Sequence, residues 1–239
     1  MNRRPGFSAI SGRDAKAAKI AAILEAAGTS WSKQSRVLDV GTGSGHVAAW
    51  FSSQVQAFSS DFVDQRDPSL GGPIFVRAGI DLPFAPEAFD IVICNHVIEH
   101  VDRPAALLGE IQRVLRPGGV LYLATPNRRW PLEFHTGWFV LHWLPRSWFN
   151  AVLRRRGYCD ERLHLFSVRT LKRYMPPGLQ LDFWHQKVVT DPQRYLLSLP
   201  GWAARLLRWM PGWLVNFSAG WQPTLIAVVG VPRREARWG

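Results

Sequence analysis

The feature that most constrains this chain is a short apolar strand that runs directly into three closely spaced glycines. Residues 36–45 read Arg-Val-Leu-Asp-Val-Gly-Thr-Gly-Ser-Gly, and a helical pattern begins at His46. Glycine allows backbone conformations that bring the chain close to a ligand, and the start of a helix offers unpaired N–H groups. The segment therefore predicts a cofactor-binding turn between a strand and a helix.

The spacing of the glycines favours one class of ligand over another. The pattern is GxGxG, whereas dinucleotide-binding turns carry GxGxxG, and this chain has His46 where that third glycine would stand. Asp39 precedes the turn, and a carboxylate there disfavours a pyrophosphate and suits a cation such as the amino group of a methionine moiety. The turn considered alone is also compatible with nicotinamide or flavin binding.

The alternation of apolar runs and helical patterns predicts an α/β fold with a parallel, doubly wound sheet. Pro117-Gly118-Gly119 is predicted to close the third helix, and the last two strands are predicted to form an antiparallel pair. The predicted helices span 14–27, 46–53 and 104–115, and the predicted strands span 36–40, 55–60, 74–76, 89–94, 120–124, 179–189 and 224–231.

The composition changes near Asn127. Residues 1–129 hold 14 basic and 12 acidic side chains, whereas residues 130–239 hold 15 basic and 6 acidic ones and ten of the twelve tryptophans. We interpret residues 1–239 as a single domain with a cofactor-binding core and a basic, aromatic remainder. Its predicted parts are the core at 14–127, a lid or substrate insertion at 128–178, and the last strands with a tryptophan-rich helical insertion at 179–231.

Acidic residues also follow the later strands. Asp61 comes at the end of the second strand, where an acid can accept hydrogen bonds from both hydroxyls of a ribose. Asp64 is the alternative in the same loop, and Asp61 is favoured because it is nearer the strand. A second acidic segment, Asp81-Leu82-Pro83-Phe84, precedes the buried strand over 89–94.

The ordered segments VLDVGTGSG, DLPF, FDIVICNHVIEHV and LRPGGVLYLATPN resemble the class I S-adenosylmethionine-dependent methyltransferases, particularly those with small-molecule acceptors. The resemblance covers about residues 36–127. It implies a Rossmann-like, mostly parallel seven-stranded sheet whose last strand is antiparallel, and S-adenosyl-L-methionine as the cofactor. The cofactor-binding residues that it implies are Asp39, Gly41 and Gly43 at the methionine end, Asp61 at the ribose, Asp81 at the adenine amine and Asn95 beneath the sulfonium, with Thr42, Gly45, Phe62, Leu82 and His96 beside them.

Other residues in these segments have structural interpretations. Glu99 and His100 match a family motif, but packing at the start of a helix explains them as well as chemistry does. Asp90 is predicted to cap a strand end. Cys94 is predicted to be a small buried apolar side chain, and two cysteines without metal or disulfide spacing fit a reducing cytoplasm.

Candidate catalytic residues follow the fifth strand, at the sheet edge that borders the expected pocket. Methyl transfer to a hydroxyl needs a base, and His135 and Glu133 are predicted to supply it. An alternative is that Glu133 and His135, with His164, hold a metal that polarises the acceptor hydroxyl. We nevertheless predict no metal site. Residues 126–146 resemble the lids of methyltransferases that act on quinone precursors or on lipid- and glycan-linked acceptors. We therefore expect O-methylation of a hydrophobic or lipid- or glycan-linked small molecule.

The tryptophan-rich stretch over residues 194–221 suggests a peripheral contact with an anionic membrane surface, at the inner face. Tryptophans favour the headgroup level, and interleaved arginines favour anionic lipids. The alternatives are an aromatic cap over the substrate pocket or a dimer contact. No stretch is long and apolar enough to predict a membrane-spanning helix.

Three other functions compete with the first. The net charge of +11 suits a nucleic-acid methyltransferase, but the [DNS]PP[YFW] signature of base amino-methylating enzymes is absent, since residues 95–98 read Asn-His-Val-Ile. We therefore expect no nucleic-acid partner. A nicotinamide oxidoreductase is disfavoured by the glycine spacing. A non-catalytic module that binds a membrane or a partner is disfavoured by the intact motifs.

Overall fold

The computed structural model describes residues 10–130, 143, 145–155, 163–191, 195 and 222–233 of the chain. These residues form helices and strands that alternate along the first half of the chain. The helices are α1 (Ile10–Ala26), α2 (His46–Ser52), α3 (Pro104–Val114), α4 (Arg146–Arg155), α5 (Val168–Tyr174) and α6 (His185–Thr190). The strands are β1 (Arg36–Val40), β2 (Gln56–Asp61), β3 (Ile74–Arg77), β4 (Phe89–Asn95), β5 (Leu115–Pro126), β6 (Gln180–Phe183) and β7 (Thr224–Gly230).

The strands form one sheet in the order β3-β2-β1-β4-β5-β7-β6. Strands β1 to β5 pair in parallel, and β7 lies antiparallel between β5 and β6. The predicted α/β fold, with a mostly parallel seven-stranded sheet and an antiparallel last strand, is confirmed. The strand order reverses between β1 and β4, and ligands in such sheets bind beside this point at the carboxyl ends of the strands.

Alternate residues of β4 pack on opposite faces of the sheet. Ile91 and Ile93 lie in an apolar cluster with residues of α1, α2 and α6. Val92 and Cys94 lie in a second cluster with residues of α3 and α5. All four side chains are fully buried, which explains the uninterrupted apolar run in the sequence. The prediction for Cys94 is confirmed, and burial raises the pKa of its thiol.

The side chain of Asp90 caps the start of the neighbouring strand. Its Oδ2 accepts a hydrogen bond of 2.7 Å from the backbone N–H of Arg36, the first residue of β1. The Arg116 guanidinium contacts the other oxygen. The predicted strand-end cap is therefore confirmed.

The strand predicted over residues 179–189 is wrong in its second half. Only Gln180–Phe183 are in a strand, and α6 follows at once. Trp184 and Val188 are four residues apart and both buried, which is helical spacing on one face. The N–H of Trp184 donates to the carbonyl of Ile226 at 2.8 Å and holds the chain against β7 where it leaves the sheet.

The prediction that Pro117-Gly118-Gly119 closes a helix is also wrong. Helix α3 ends at Val114, and these residues belong to β5, which runs from Leu115 to Pro126. The pairing with β4 shifts register opposite them, as at a bulge. The chain is held there by two backbone hydrogen bonds with Val231, one to each glycine.

Much of the second half of the chain lies outside the described residues. In the predicted lid over 128–178, the described portions include α4, α5 and an isolated bridge between Asn127 and Phe166. In the stretch over 194–221, only Tyr195 is described. None of the helices in the described ranges is long and apolar enough to cross a membrane.

Candidate active site

The turn after β1 can be made only by glycine at its first position. Gly41 has φ +67°, and a Cβ built on it would lie 2.3 Å from Cγ2 of Val97, in the segment after β4. Its N–H donates to the carbonyl of Ser60 at 2.7 Å. Gly43 also has positive φ, at +52°, but the space in front of it is open. The turn therefore packs tightly against the protein at Gly41 and leaves room for a ligand at Gly43.

The carboxylate of Asp61 joins the glycine turn to the end of β2. Its Oδ2 accepts from the N–H of Gly43 at 2.8 Å, and its Oδ1 accepts from the N–H of Phe62 at 2.7 Å. A carboxylate oxygen can accept two hydrogen bonds, so each oxygen keeps one acceptor position. Asp64, the alternative, instead pairs with the guanidinium of Arg66 at 2.9 Å.

A cavity of about 570 Å³ opens at the carboxyl ends of β1, β2 and β4. It lies beside the reversal of strand order and is within the usual size range of small-molecule sites. Phe62 is on its wall and is 74% exposed, so its ring is free to pack against a flat ligand. The predicted cofactor residues on the cavity wall are Gly41, Asp61, Phe62, Asp81 and His96.

The other predicted cofactor residues do not line this cavity. Thr42 donates its hydroxyl proton to Oδ2 of Asp39 at 2.7 Å. Leu82 is 3% exposed and packs in the apolar core, where its N–H donates to Glu110. The residues at the remaining positions are Gly43 in the turn, Gly45 preceding α2, and Asn95 at the end of β4. Their predicted contacts with the cofactor remain predictions.

Asp39 is an ionisable residue whose side chain is almost completely shielded from solvent. It is 3% exposed, and burial raises the pKa of its carboxyl to about 7. The carboxylate of Asp61 raises it further, whereas hydrogen bonds from Thr42 and the backbone of Ala48 lower it. A buried acid that titrates near neutral pH changes its charge readily when a cation approaches.

This pKa predicts how stability depends on pH. The folded protein keeps the Asp39 proton up to about pH 7, whereas an unfolded chain releases it near pH 4. The folded state therefore binds more protons between these values, so the free energy of unfolding falls as the pH rises from about 4 to about 7. The loss amounts to at most about 4 kcal/mol, since one pKa unit corresponds to about 1.36 kcal/mol.

Urea unfolding of the cofactor-free protein at several pH values measures this effect. Asp39→Asn keeps an acceptor for Thr42 but cannot ionise, so it should gain stability relative to the natural protein as the pH rises. Parallel stability curves for the two proteins across this range would show that Asp39 does not titrate as described.

Two polar residues after β4 form a pair that the sequence did not reveal. The Nδ1 of His96 lies 3.3 Å from Oε1 of Glu99, and the hydroxyl of Thr125 donates to Oε2 of Glu99 at 2.9 Å. Glu99 is 1% exposed, in a short 3₁₀ helix over Ile98–His100. The signal in the sequence was only that the two side chains lie three residues apart directly after a buried strand, since His96 precedes the 3₁₀ helix and has positive φ.

A second, basic cleft of about 580 Å³ lies beyond the end of β5. Arg128, Arg129 and Trp143 line it together with the hydroxyl-bearing residues that open α5, Ser167 and Thr170. The indole N–H of Trp143 donates to the carbonyl of Arg128 at 3.0 Å, which holds the ring beside the arginines. Among the residues that the structure describes, neither guanidinium is paired with a carboxylate.

The predicted catalytic residues Glu133 and His135 lie outside the described residues, so their role stays a prediction. His164, the third residue of the alternative metal set, is described, and its N–H donates to the carbonyl of Glu99 at 2.7 Å. Within the described ranges, no three His, Cys, Asp or Glu side chains are grouped so that they could hold a metal ion.

Comparison with known proteins assigns this architecture to a family. Residues 12–177 match the model of a methyltransferase domain. A ubiquinone biosynthesis O-methyltransferase of Paramagnetospirillum magneticum is 33% identical over 190 residues, which are 69% of this chain and 72% of that protein. The chain belongs to the class I S-adenosylmethionine-dependent methyltransferases.

Further similarities agree with this assignment. An uncharacterized methyltransferase of Mycobacterium leprae is 41% identical over 96 residues, but the match covers only 37% of this methyltransferase and 36% of that relative. A solved S-adenosylmethionine-dependent methyltransferase from Mesorhizobium loti has the same fold, with a TM-score of 0.61 and 15% identity over 93% of this chain and the whole of that one.

The cofactor of this methyltransferase is S-adenosyl-L-methionine, and the residues of the first cavity, with Asp39 of β1, fit it. Asp61 retains two acceptor positions for a pair of ribose hydroxyls. The exposed ring of Phe62 offers an apolar face to a base. The buried carboxyl of Asp39, with its raised pKa, ionises readily when an ammonium group approaches the turn.

Proposed function

We propose that this methyltransferase transfers a methyl group to an oxygen of a hydrophobic or lipid- or glycan-linked small molecule. The observation that carries the proposal is the 33% identity with a ubiquinone biosynthesis O-methyltransferase, which extends over 69% of the chain. The matched part of the chain is larger than the cofactor-binding core alone.

The chain's own residues would position the reactants. The cofactor, when bound, supplies a methyl carbon on a positively charged sulfur, ready for an in-line displacement. Asp61 and the turn at Gly41 would hold its nucleoside end at the carboxyl ends of β1 and β2. The acceptor would be held by the basic cleft that lies beyond the end of β5. Holding two reactants in this geometry removes much of the entropic part of the barrier.

The basic cleft supports an acceptor that carries an anionic group. Arg128 and Arg129 offer two guanidinium groups without a carboxylate partner among the described residues, and guanidinium pairs strongly with phosphate or carboxylate. The ring of Trp143 adds an apolar surface that is 47% exposed. An acceptor with an apolar body and one acidic group is therefore the best match to the cleft.

A search for the product tests this proposal. Purified protein is incubated with S-adenosylmethionine and a cell extract of lipids and metabolites, and mass spectrometry looks for compounds that gain one methyl group. We expect an acidic, apolar compound methylated on oxygen. The double variant Arg128→Gln/Arg129→Gln should raise its KM by about tenfold, as expected for losing charged hydrogen bonds.

Arg173→Gln is the matched control, because Arg173 is an exposed arginine of α5 outside the lining of the cleft. Methylation on nitrogen or carbon, or an equal KM for the double variant and this control, would contradict the proposal.

Contact between residues 194–221 and an anionic membrane also remains a proposal. It fits an acceptor that resides in a membrane, since the protein would then meet its substrate at the surface.

A further inference from the structure

His96 is held in an unusual backbone conformation on the wall of the cofactor cavity. Its φ is +59°, in the left-handed region that non-glycine residues rarely adopt. The backbone N–H donates to the carbonyl of Ala124 in β5 at 2.8 Å, which fixes this conformation. The side chain is 40% exposed and lines the same cavity as Gly41 and Asp61. Strained residues of this kind concentrate at functional sites, where the surrounding structure maintains them.

The partner of His96 is a carboxylate that water cannot reach. Glu99 is 1% exposed, with one oxygen 3.3 Å from Nδ1 of His96 and the other bonded to the hydroxyl of Thr125. Thr125 is itself fully buried. The carbonyl of Glu99 accepts from the N–H of His164, which anchors this turn to the segment before α5. The carboxylate is therefore held between Thr125 of β5 and His96, while its backbone is held by His164.

This geometry determines which nitrogen of His96 can accept a proton. A carboxylate beside Nδ1 favours the tautomer with its hydrogen on Nδ1, so that Nε2 carries the free lone pair. His96 lines the cavity and its side chain is 40% exposed, and because Nδ1 faces Glu99, Nε2 is the nitrogen left for a reactant. A histidine oriented by a buried acid is a common arrangement for proton abstraction.

We infer that His96 is the general base of the methyl transfer and that Glu99 and Thr125 are positioning residues; this rests on the proposed function. The acceptor hydroxyl gives its proton to Nε2 while its oxygen bonds to the methyl carbon and the bond from that carbon to sulfur breaks. The positive charge lost from sulfur appears on the imidazolium, where the carboxylate of Glu99 stabilises it.

Other titratable and charged groups line the same cavity as this imidazole. The cavity wall carries Asp61 from β2, Asp81 from the loop after β3, and His100, Asp102 and Arg103 from the segment that leads into α3. The backbone N–H of His164 bonds to the carbonyl of Glu99. Kinetics of a single variant do not separate the effect of His96 from the effects of these other groups. The test therefore needs a signal that comes from His96 alone.

Nitrogen NMR of isotope-labelled histidine in the full chain, with S-adenosylhomocysteine bound, gives that readout. The His96 signals are identified by their loss in His96→Gln. We expect the neutral ring to carry its hydrogen on Nδ1, and Glu99→Gln to shift the population toward the Nε2–H form. Asp182→Asn is the control, because Asp182 is an exposed acid paired with Lys187 at 3.0 Å, away from the cavity. A ring with its hydrogen on Nε2 in the natural protein overturns the inference.

Kinetics with 3,4-dihydroxybenzoate as the acceptor probe give the second test. His96→Gln should lower kcat by about 100-fold or more with little change in KM. The rate of this variant should recover toward alkaline pH, where the acceptor ionises without help. Unchanged kcat overturns the inference, and so does a large loss of affinity for S-adenosylhomocysteine, which would make His96 a cofactor contact. If the natural protein methylates only nitrogen, the proposed function fails, whatever tautomer His96 shows.

Discussion

Asp61→Asn is expected to weaken the binding of S-adenosylmethionine by about 100-fold or more. The carboxylate accepts from the N–H groups of Gly43 and Phe62 and has one acceptor position left on each oxygen. Asparagine has a single acceptor oxygen, so its amide would face a backbone N–H or a ribose hydroxyl that needs an acceptor. Hydrogen bonds to charged groups contribute about 1.5–3 kcal/mol each, and about 1.4 kcal/mol corresponds to tenfold in affinity.

Calorimetric titration of the variant with S-adenosylmethionine measures this loss. Asp64→Asn is the matched control, because Asp64 lies three residues away, is exposed and pairs with Arg66. We expect the control to bind the cofactor as the natural protein does. Equal weakening by the two variants would mean that general negative charge, and not the ribose contact of Asp61, attracts the cofactor.

Gly41→Ala is expected to lower the free energy of unfolding by about 2–5 kcal/mol. The left-handed conformation at φ +67° costs an alanine about 1–2 kcal/mol. The new Cβ would lie 2.3 Å from Cγ2 of Val97, and forcing apart packed groups of this kind costs typically about 1–3 kcal/mol. Because Val97 leads into the turn that carries Glu99, cofactor binding should fail along with stability.

Urea unfolding of cofactor-free protein separates the two contributions. Gly28→Ala is the control for backbone strain alone, since Gly28 has φ +83° with nothing within 4 Å of the added Cβ. We expect it to cost about 1–2 kcal/mol. The double variant Gly41→Ala/Val97→Ala should recover part of the loss by removing the clashing methyl groups. A cost for Gly41→Ala no greater than that for Gly28→Ala would contradict the packing described for the turn.

The sequence was sufficient to predict the fold because its strongest signals are local. The apolar run at 89–94 reflects burial on both faces of β4, and the glycine turn after β1 marks the site. The predicted strand over 179–189 failed because the β-branched and aromatic residues near Val188 favour strands, whereas contacts with β7 place them in a helix. At these residues, contacts in the folded protein outweigh the local preference for a strand.

The candidate site was predictable only in part. Because Asp39 and Asp61 lie at or near the ends of their strands, the sequence alone predicted that both would lie close to the glycine turn. The pairing of His96 with Glu99 depends instead on a positive φ at His96 and on a hydroxyl from the next strand, at Thr125. Neither is visible in the local sequence, because both come from how β4 and β5 meet in the sheet.

The glycine turn and Asp61 are expected to bind a sulfonium nucleoside and not a dinucleotide. Calorimetric titration of the purified chain with S-adenosylmethionine and, separately, with a reduced nicotinamide dinucleotide tests it most directly. We expect saturable binding at one site for the sulfonium nucleoside and none for the dinucleotide. Binding of the dinucleotide alone, or of neither compound, would contradict it.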